Sequence, residues 1–229
     1  MPKETFNLIP EEKQERVLQE ATRLFAGLGF AQTDMARLAK AAGVAKGSLY
    51  NYFESKEDLY HHVCRRALEA SRAAVYGGLD PAWDIYRQVE HIFRAGVRFA
   101  LENPDYIALY ANGTTAGAER LPADLSREVE RHTAGHLKDL VRRGQAAGLV
   151  NPALDVNLTA FLINTVYIMF LLSLVSPHFR IRLQEYLELA DGITGQNLEE
   201  SLERTVALIH NVLRPPQDPG EAPRQENGK

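Results

Sequence analysis

The sequence lacks most of the motifs that mark chemistry. One cysteine, Cys64, stands among 229 residues, so no internal disulfide can form and no cysteine framework for zinc exists. A reducing, cytoplasmic setting is the expectation. No glycine-rich phosphate loop and no serine or cysteine nucleophile signature occurs, and an enzyme would need one of these, a metal cluster or a nucleophile with its base. Catalysis is therefore not expected, and neither is a cofactor. Strand-type alternation is almost absent. The amino-terminal stretch MPKETFNLIPEEKQER turns acidic before an apolar run develops, so it lacks the core of a signal peptide. A dominant charge is lacking too: 26 Lys and Arg face 30 Asp and Glu, a net charge of -4. Any attraction for nucleic acid must then come from a local patch.

What the chain does have is apolar residues, 45% of the total, recurring at helical spacing nearly throughout. The expectation is an all-α fold. A first helix starts after Pro10, buries Val17, Ala21, Leu24, Phe25 and Leu28, and ends at Gly29. Thr33 has the chemistry to cap a short second helix carrying Leu38, Ala39 and Ala42, which Gly43 breaks. A third short helix runs from about Lys46 to Phe53, and Ser55 starts a fourth that runs to Tyr76. Longer helices are expected at Trp83 to Glu102, Pro104 to Asn112, Pro122 to Ala147, Asp155 to Ser176, Arg180 to Asp191 and Leu198 to Leu213. The character changes near Gly77. Residues 1–10 read as a flexible arm, 11–59 as a helix-turn-helix unit, 60–214 as a helical body and 215–229 as a disordered tail rich in proline and charge.

The stretch GVAKGSLYNYFESKEDL sets three aromatic rings between two lysines. On a helical wheel Leu49 and Phe53 share one face, while Gly47, Tyr50, Asn51 and Glu54 lie on the other. Leu49 and Phe53 are core candidates; Tyr50 points outward; Tyr52 sits on the flank. Two short helices joined at Gly43 have the spacing of a helix-turn-helix, which presents its second helix to the DNA major groove. Ala45, Lys46, Gly47 and Ser48 would form the end that meets bases and phosphates. Tyr50 and Asn51 are placed for bases, and Thr33, Ser48, Tyr52 and Lys56 for phosphates. From Phe30 to Lys56, four basic residues (Arg37, Lys40, Lys46, Lys56) outnumber two acidic ones (Asp34, Glu54), a modest local footprint.

Thr33, Leu38-Ala39, the run Ala42 to Tyr50, Tyr52-Phe53 and Ser55 to Leu59 together resemble the DNA-binding segment of the tetracycline-repressor-like (TetR) family of bacterial transcriptional regulators. The resemblance covers about Glu12 to Leu59. It implies a homodimeric, ligand-responsive regulator, usually a repressor, with DNA contacts from Thr33, Lys46, Gly47, Ser48, Tyr50, Asn51, Tyr52 and Lys56. Asn51 departs from the histidine or aromatic usual there, which leaves the base preference open. In the body only the turn from Arg143-Gly144-Gln145 to Gly148-Leu149 carries a loose likeness.

The resemblance also implies a four-helix dimer interface, a role that fits the helices 155–176 and 198–213. The run Leu158 to Val175 is the most apolar of the chain, yet it is short for a bilayer and holds Thr159, Asn164, Thr165, Tyr167 and Ser173. A helix shared by a core and a partner reads apolar on every side, so no membrane association is expected. A pocket inside the body would draw on Trp83, Phe93, Val97, Tyr106, Tyr110, Phe161, Asn164, Thr165, Tyr167 and Ile168, and would suit an apolar or aromatic effector. Glu128, His132 and His136 share a helix face at metal-ligand spacing, but Arg131, Lys138 and Asp139 around them mark a solvated surface, and no metal is assigned. The rival to a regulator is an all-helical interaction protein, which has no use for an exposed Lys46-Gly47-Tyr50 set.

Overall fold

A computed structural model describes residues 2–114, 123–189, 193 and 195–216, and among the described residues there are only helices and their links. The helices are α1 (Glu4–Asn7), α2 (Glu11–Gln32), α3 (Met35–Ala42), α4 (Lys46–Tyr52), α5 (Lys56–Tyr76), α6 (Ile85–Glu102), α7 (Pro104–Thr114), α8 (Ala123–Ala146), α9 (Val156–Val175), α10 (Pro177–Leu187) and α11 (Gly195–Leu213).

Local chemistry explains most boundaries. Within α2 the backbone breaks at Gly29, whose φ of 76° is open to glycine and costly for other residues. Helix α3 is capped by Asp34, whose carboxylate accepts from the backbone N–H groups of Ala36 and Arg37, both at 2.8 Å. This corrects the cap expected at Thr33. The Thr33 hydroxyl is buried and donates instead to the carbonyls of Gly29 (2.8 Å) and Leu24 (3.1 Å), tying the broken end of α2 together. Gly43, at φ 66°, ends α3 in a paired turn: its N–H donates to Lys40 and the Val44 N–H to Ala39. Ser55 caps α5 by accepting from the Asp58 N–H at 3.1 Å. Helix α6 starts at Ile85 rather than Trp83 because Asp84 is its cap. Helix α10 starts at Pro177, a residue preorganised for the first helical position, and not at Arg180. It ends at Leu187, where Glu188 takes a left-handed cap at φ 57°, short of the end expected at Asp191; the tail from 217 lies outside the described residues.

The amino-terminal arm is the largest departure. Instead of hanging free it forms α1, and Phe6 is 2% exposed, its ring 4.9 Å from that of Phe53 and 5.5 Å from that of Tyr52. Three acceptors at the end of α4 receive partners from this arm. Lys3 Nζ donates to the Tyr50 carbonyl at 3.0 Å, the Thr5 hydroxyl to that of Asn51, and the Lys3 N–H to that of Tyr52 at 2.8 Å. The last carbonyls of a helix lack partners within it, so the arm supplies what α4 cannot. The sequence signal was a lone aromatic before Pro10.

Among the described residues two hydrophobic cores result. One gathers Phe6, Val17, Phe25, Leu38, Leu49, Phe53, Leu59 and Val63, and also takes Leu109 from α7 and Leu125 from α8. The other gathers Val75, Val89, Phe93, Val141, Ile163, Val206 and Leu213. The change from one to the other falls inside α5, between Ala67 and Val75.

Candidate nucleic-acid interface and cavity

Helix α4 is divided as the wheel implied. Leu49 and Phe53 are fully buried, whereas Ala45, Lys46, Gly47 and Asn51 are exposed, Ser48 is half-buried and the Tyr50 ring is 44% exposed. Ala45 offers no side-chain acceptor at the N-cap, so the first turn keeps outward-facing N–H donors. A Cβ added at Gly47 would meet nothing within 4 Å, so the protein's own packing does not require glycine there. Arg37 and Lys40 add exposed positive charge on α3. The Asp34 carboxyl is held below its usual range, chiefly by the backbone N–H of Arg37, and stays anionic as a cap.

Three of the expected phosphate contacts are placed differently. The Thr33 side chain is sealed inside and the Tyr52 ring is 7% exposed against Phe6, so both serve the core. Lys56 sits partly buried, its ammonium donating to the Phe30 carbonyl at 2.9 Å and lying 4.0 Å from the Phe30 ring centroid. It is a positive charge at the end of α2, where a helix favours one. The outward set is thus Ala45, Lys46, Gly47, Ser48, Tyr50 and Asn51.

In the body a cavity of about 110 Å³ lies among α5 to α9. Of the residues expected to line it, Tyr106, Tyr110, Asn164, Tyr167 and Ile168 do. Trp83 instead packs on His91 at 5.4 Å in a separate shallow groove. Phe93 and Val97 belong to the core behind the cavity, with the Phe93 ring edge-on to Tyr167 at 5.3 Å. Phe161, 69% exposed, and Thr165 face outward on α9. Sequence reasoning missed the α5 wall, Cys64, Leu68, Ser71, Arg72, Val75 and Tyr76. Their three- and four-residue spacing was the available signal. Burial pushes the Cys64 thiol up to about 12 and also raises Tyr76.

Gly96 on α6 backs the Tyr167 ring closely enough that an added Cβ would overlap both ring and hydroxyl. Gly96→Ala is therefore expected to destabilise the protein by about 1–3 kcal/mol in urea unfolding, through overpacking. An unchanged midpoint would show that Tyr167 has room to swing away.

Glu128, His132 and His136 do not converge on a metal. The Glu128 carboxylate turns to Arg65 (3.4 Å) and Arg72 (3.8 Å), while the two imidazoles flank the Tyr76 ring at 5.5 and 5.1 Å. Burial lowers the affinity of His136 for a proton.

Helix α7 touches both halves. Tyr106 and Tyr110 line the cavity while Leu109 enters the amino-terminal core. The Asn112 amide donates to the Ala26 carbonyl of α2 at 2.9 Å. Arg66 links the same parts, 2.7 Å from the Glu15 carboxylate of α2 and 3.4 Å from the Tyr106 hydroxyl.

Comparison with known proteins agrees with this geometry. The family of bacterial regulatory proteins described as tetR matches residues 17–63. The HTH-type transcriptional regulator YhgD of Bacillus subtilis is 23% identical over 167 residues, which is 73% of this chain and 86% of YhgD. The HTH-type transcriptional repressor KstR2 of Mycolicibacterium smegmatis is 26% identical over 149 residues, 65% of this chain and 73% of KstR2. A crystal structure of a TetR family transcriptional regulator from Chloroflexus aurantiacus, 25% identical, superposes with a TM-score of 0.73 over 94% of this chain and all of that one.

Proposed function

This chain belongs to the TetR family of bacterial transcriptional regulators, which bind DNA, and from that premise we propose that it is a cytoplasmic repressor. It reads a palindromic operator as a homodimer and is released by a small hydrophobic effector held in the cavity.

The division of α4 carries the reading: Lys46, Gly47, Tyr50 and Asn51 outward, Leu49 and Phe53 inward. Such a helix offers charge, close backbone approach and base-reading side chains along one edge, as major-groove recognition requires. Dimerisation is supported by apolar residues left on the surface. Leu158, Phe161 and Leu162 form a stripe on α9, and Leu208 and Val212 a second on α11, exposed by between 40% and 69%. Helix α9 is long and apolar enough to cross a bilayer; its contacts with α6, α7, α8 and α10 suit a core helix shared with a partner. An effector that moves α7 acts on α2 through Leu109, Asn112 and the Arg66 link, and so on the spacing of two recognition helices.

Fluorescence anisotropy with a labelled fragment of the DNA upstream of its own gene, across a salt series, tests the proposal. Tight, salt-dependent binding is expected, with Lys46→Ala and Tyr50→Ala each losing about tenfold or more and Lys46→Ala lowering the salt slope by about one. Wild-type binding no tighter than that of folded variants, on this DNA and on pooled random DNA, would sink it in favour of a protein-interaction module.

A further inference from the structure

The cavity holds polar groups that the protein itself leaves unanswered. Tyr110 from α7, Tyr167 and Asn164 from α9 all line it. Neither phenol hydroxyl and no Asn164 amide atom makes a hydrogen bond within the described protein, yet none is sealed from space of water size. A buried donor without a partner costs stability. Groups of this kind, gathered in one apolar chamber, are kept for an occupant or for water.

The occupant's chemistry follows from the donors and from where charge is missing. The walls are apolar: Ala67, Leu68, Phe99, Ile168, Leu171 and Leu172. Burial raises both phenols, Tyr110 to about 12 and Tyr167 further, so each stays protonated and donates. Of the charged members of the lining, Glu130 and His132 are exposed on α8, and Arg72, half-buried on α5, faces Glu128 at 3.8 Å. A carboxylate driven to the tyrosines would lose its hydration among apolar walls, and the guanidinium in the lining, Arg72, is already directed at Glu128.

We propose that the cavity takes an uncharged ligand whose apolar body carries an oxygen acceptor, seated against the hydroxyls of Tyr110 and Tyr167 and the amide of Asn164. This gives a class to the effector in the function proposed above and rests on that reading for its regulatory meaning. The binding itself stands apart, because it is measured on protein without DNA.

Three one-ring probes separate the possibilities: acetophenone, ethylbenzene and benzoate, titrated by calorimetry or NMR into the full chain. Acetophenone is expected to bind about tenfold tighter than ethylbenzene, and benzoate the weakest. Tyr110→Phe and Tyr167→Phe should each cost acetophenone about fivefold, the equivalent of about one net hydrogen bond, leave ethylbenzene unchanged, and not lower the unfolding midpoint. Equal binding of ketone and hydrocarbon, tightest binding of benzoate, binding of none of the three, or Tyr→Phe variants that lose stability would each overturn the proposal. If tyrosine-dependent ketone binding holds while operator affinity does not respond to it, the ligand class stands and the regulatory reading falls.

Discussion

Gly47→Leu is expected to weaken operator binding by about 100-fold while the thermal midpoint stays level or rises slightly. The two readouts move apart because the residue answers to different neighbours. Inside the protein nothing lies within 4 Å of a Cβ built there, and its φ is not in the left-handed region. Glycine in a helix costs about 0.5–1 kcal/mol relative to alanine, so a side chain should help α4 rather than harm it. Outside, leucine would stand between Lys46 and Ser48 on the edge proposed to enter the groove and hold backbone donors away from phosphates. A 100-fold loss is about 2.7 kcal/mol, the scale of one or two displaced contacts. Gly135→Leu is the control, since Gly135 on α8 is equally open and exposed and lies far from that edge in sequence. Both variants should fold; only the first should lose DNA. Undiminished binding by Gly47→Leu would remove this face of α4 from the interface.

The second large effect belongs to Phe6. Phe6→Ala removes a ring that is 2% exposed and packed on Phe53 and Tyr52, and losses for such truncations run to about 3–5 kcal/mol. The expected result is an unfolding free energy lower by about 3 kcal/mol. Hydrogen exchange should quicken first in α4, because Lys3 and Thr5 lose their hold on the Tyr50, Asn51 and Tyr52 carbonyls once the ring no longer anchors α1. DNA affinity should fall with the order of α4. If the midpoint and the α4 protection are both unmoved, the arm is an ornament of the fold and not part of its recognition head.

Elements governed by near neighbours in sequence were legible. Gly29, Gly43, Ser55 and Asp155 mark interruptions that short-range chemistry sets: the last three cap helices in the structure, and Gly29 breaks α2, which resumes as far as Gln32. The inward and outward faces of α4 followed from the 3.6-residue period alone. Thr33 and Asp34 show the limit: adjacent residues with similar capping chemistry are told apart only by which one the core takes, and burial of Thr33 against α2 decides it. The arm was misjudged because one phenylalanine gives no periodicity, and its value depends on Tyr52 and Phe53 more than forty residues away. The cavity was half legible for a related reason. Aromatic residues of α7 and α9 advertise themselves, but Phe161 and Thr165 share α9 with Asn164 and Tyr167 and face outward. In a helix apolar on all sides, sequence cannot say which side is inside.

The passage of α5 through both cores bears on how such a chain can be cut and rejoined. Twenty-one residues long, it gives its first turns to one core and its last to the other, and Leu109 and Leu125 return to the first core from far along the chain. The DNA-reading head is therefore a functional region without being a transplantable one. A recombinant joint at residue 59, or at Gly77, would part the core of the head from Leu109 and Leu125, which belong to it. A head grafted onto a foreign body inherits that gap unless the new body supplies two apolar side chains at the same places. Exchange between relatives should succeed where α7 and α8 travel with the head, so that the inherited unit is a set of contacts and not a stretch of sequence.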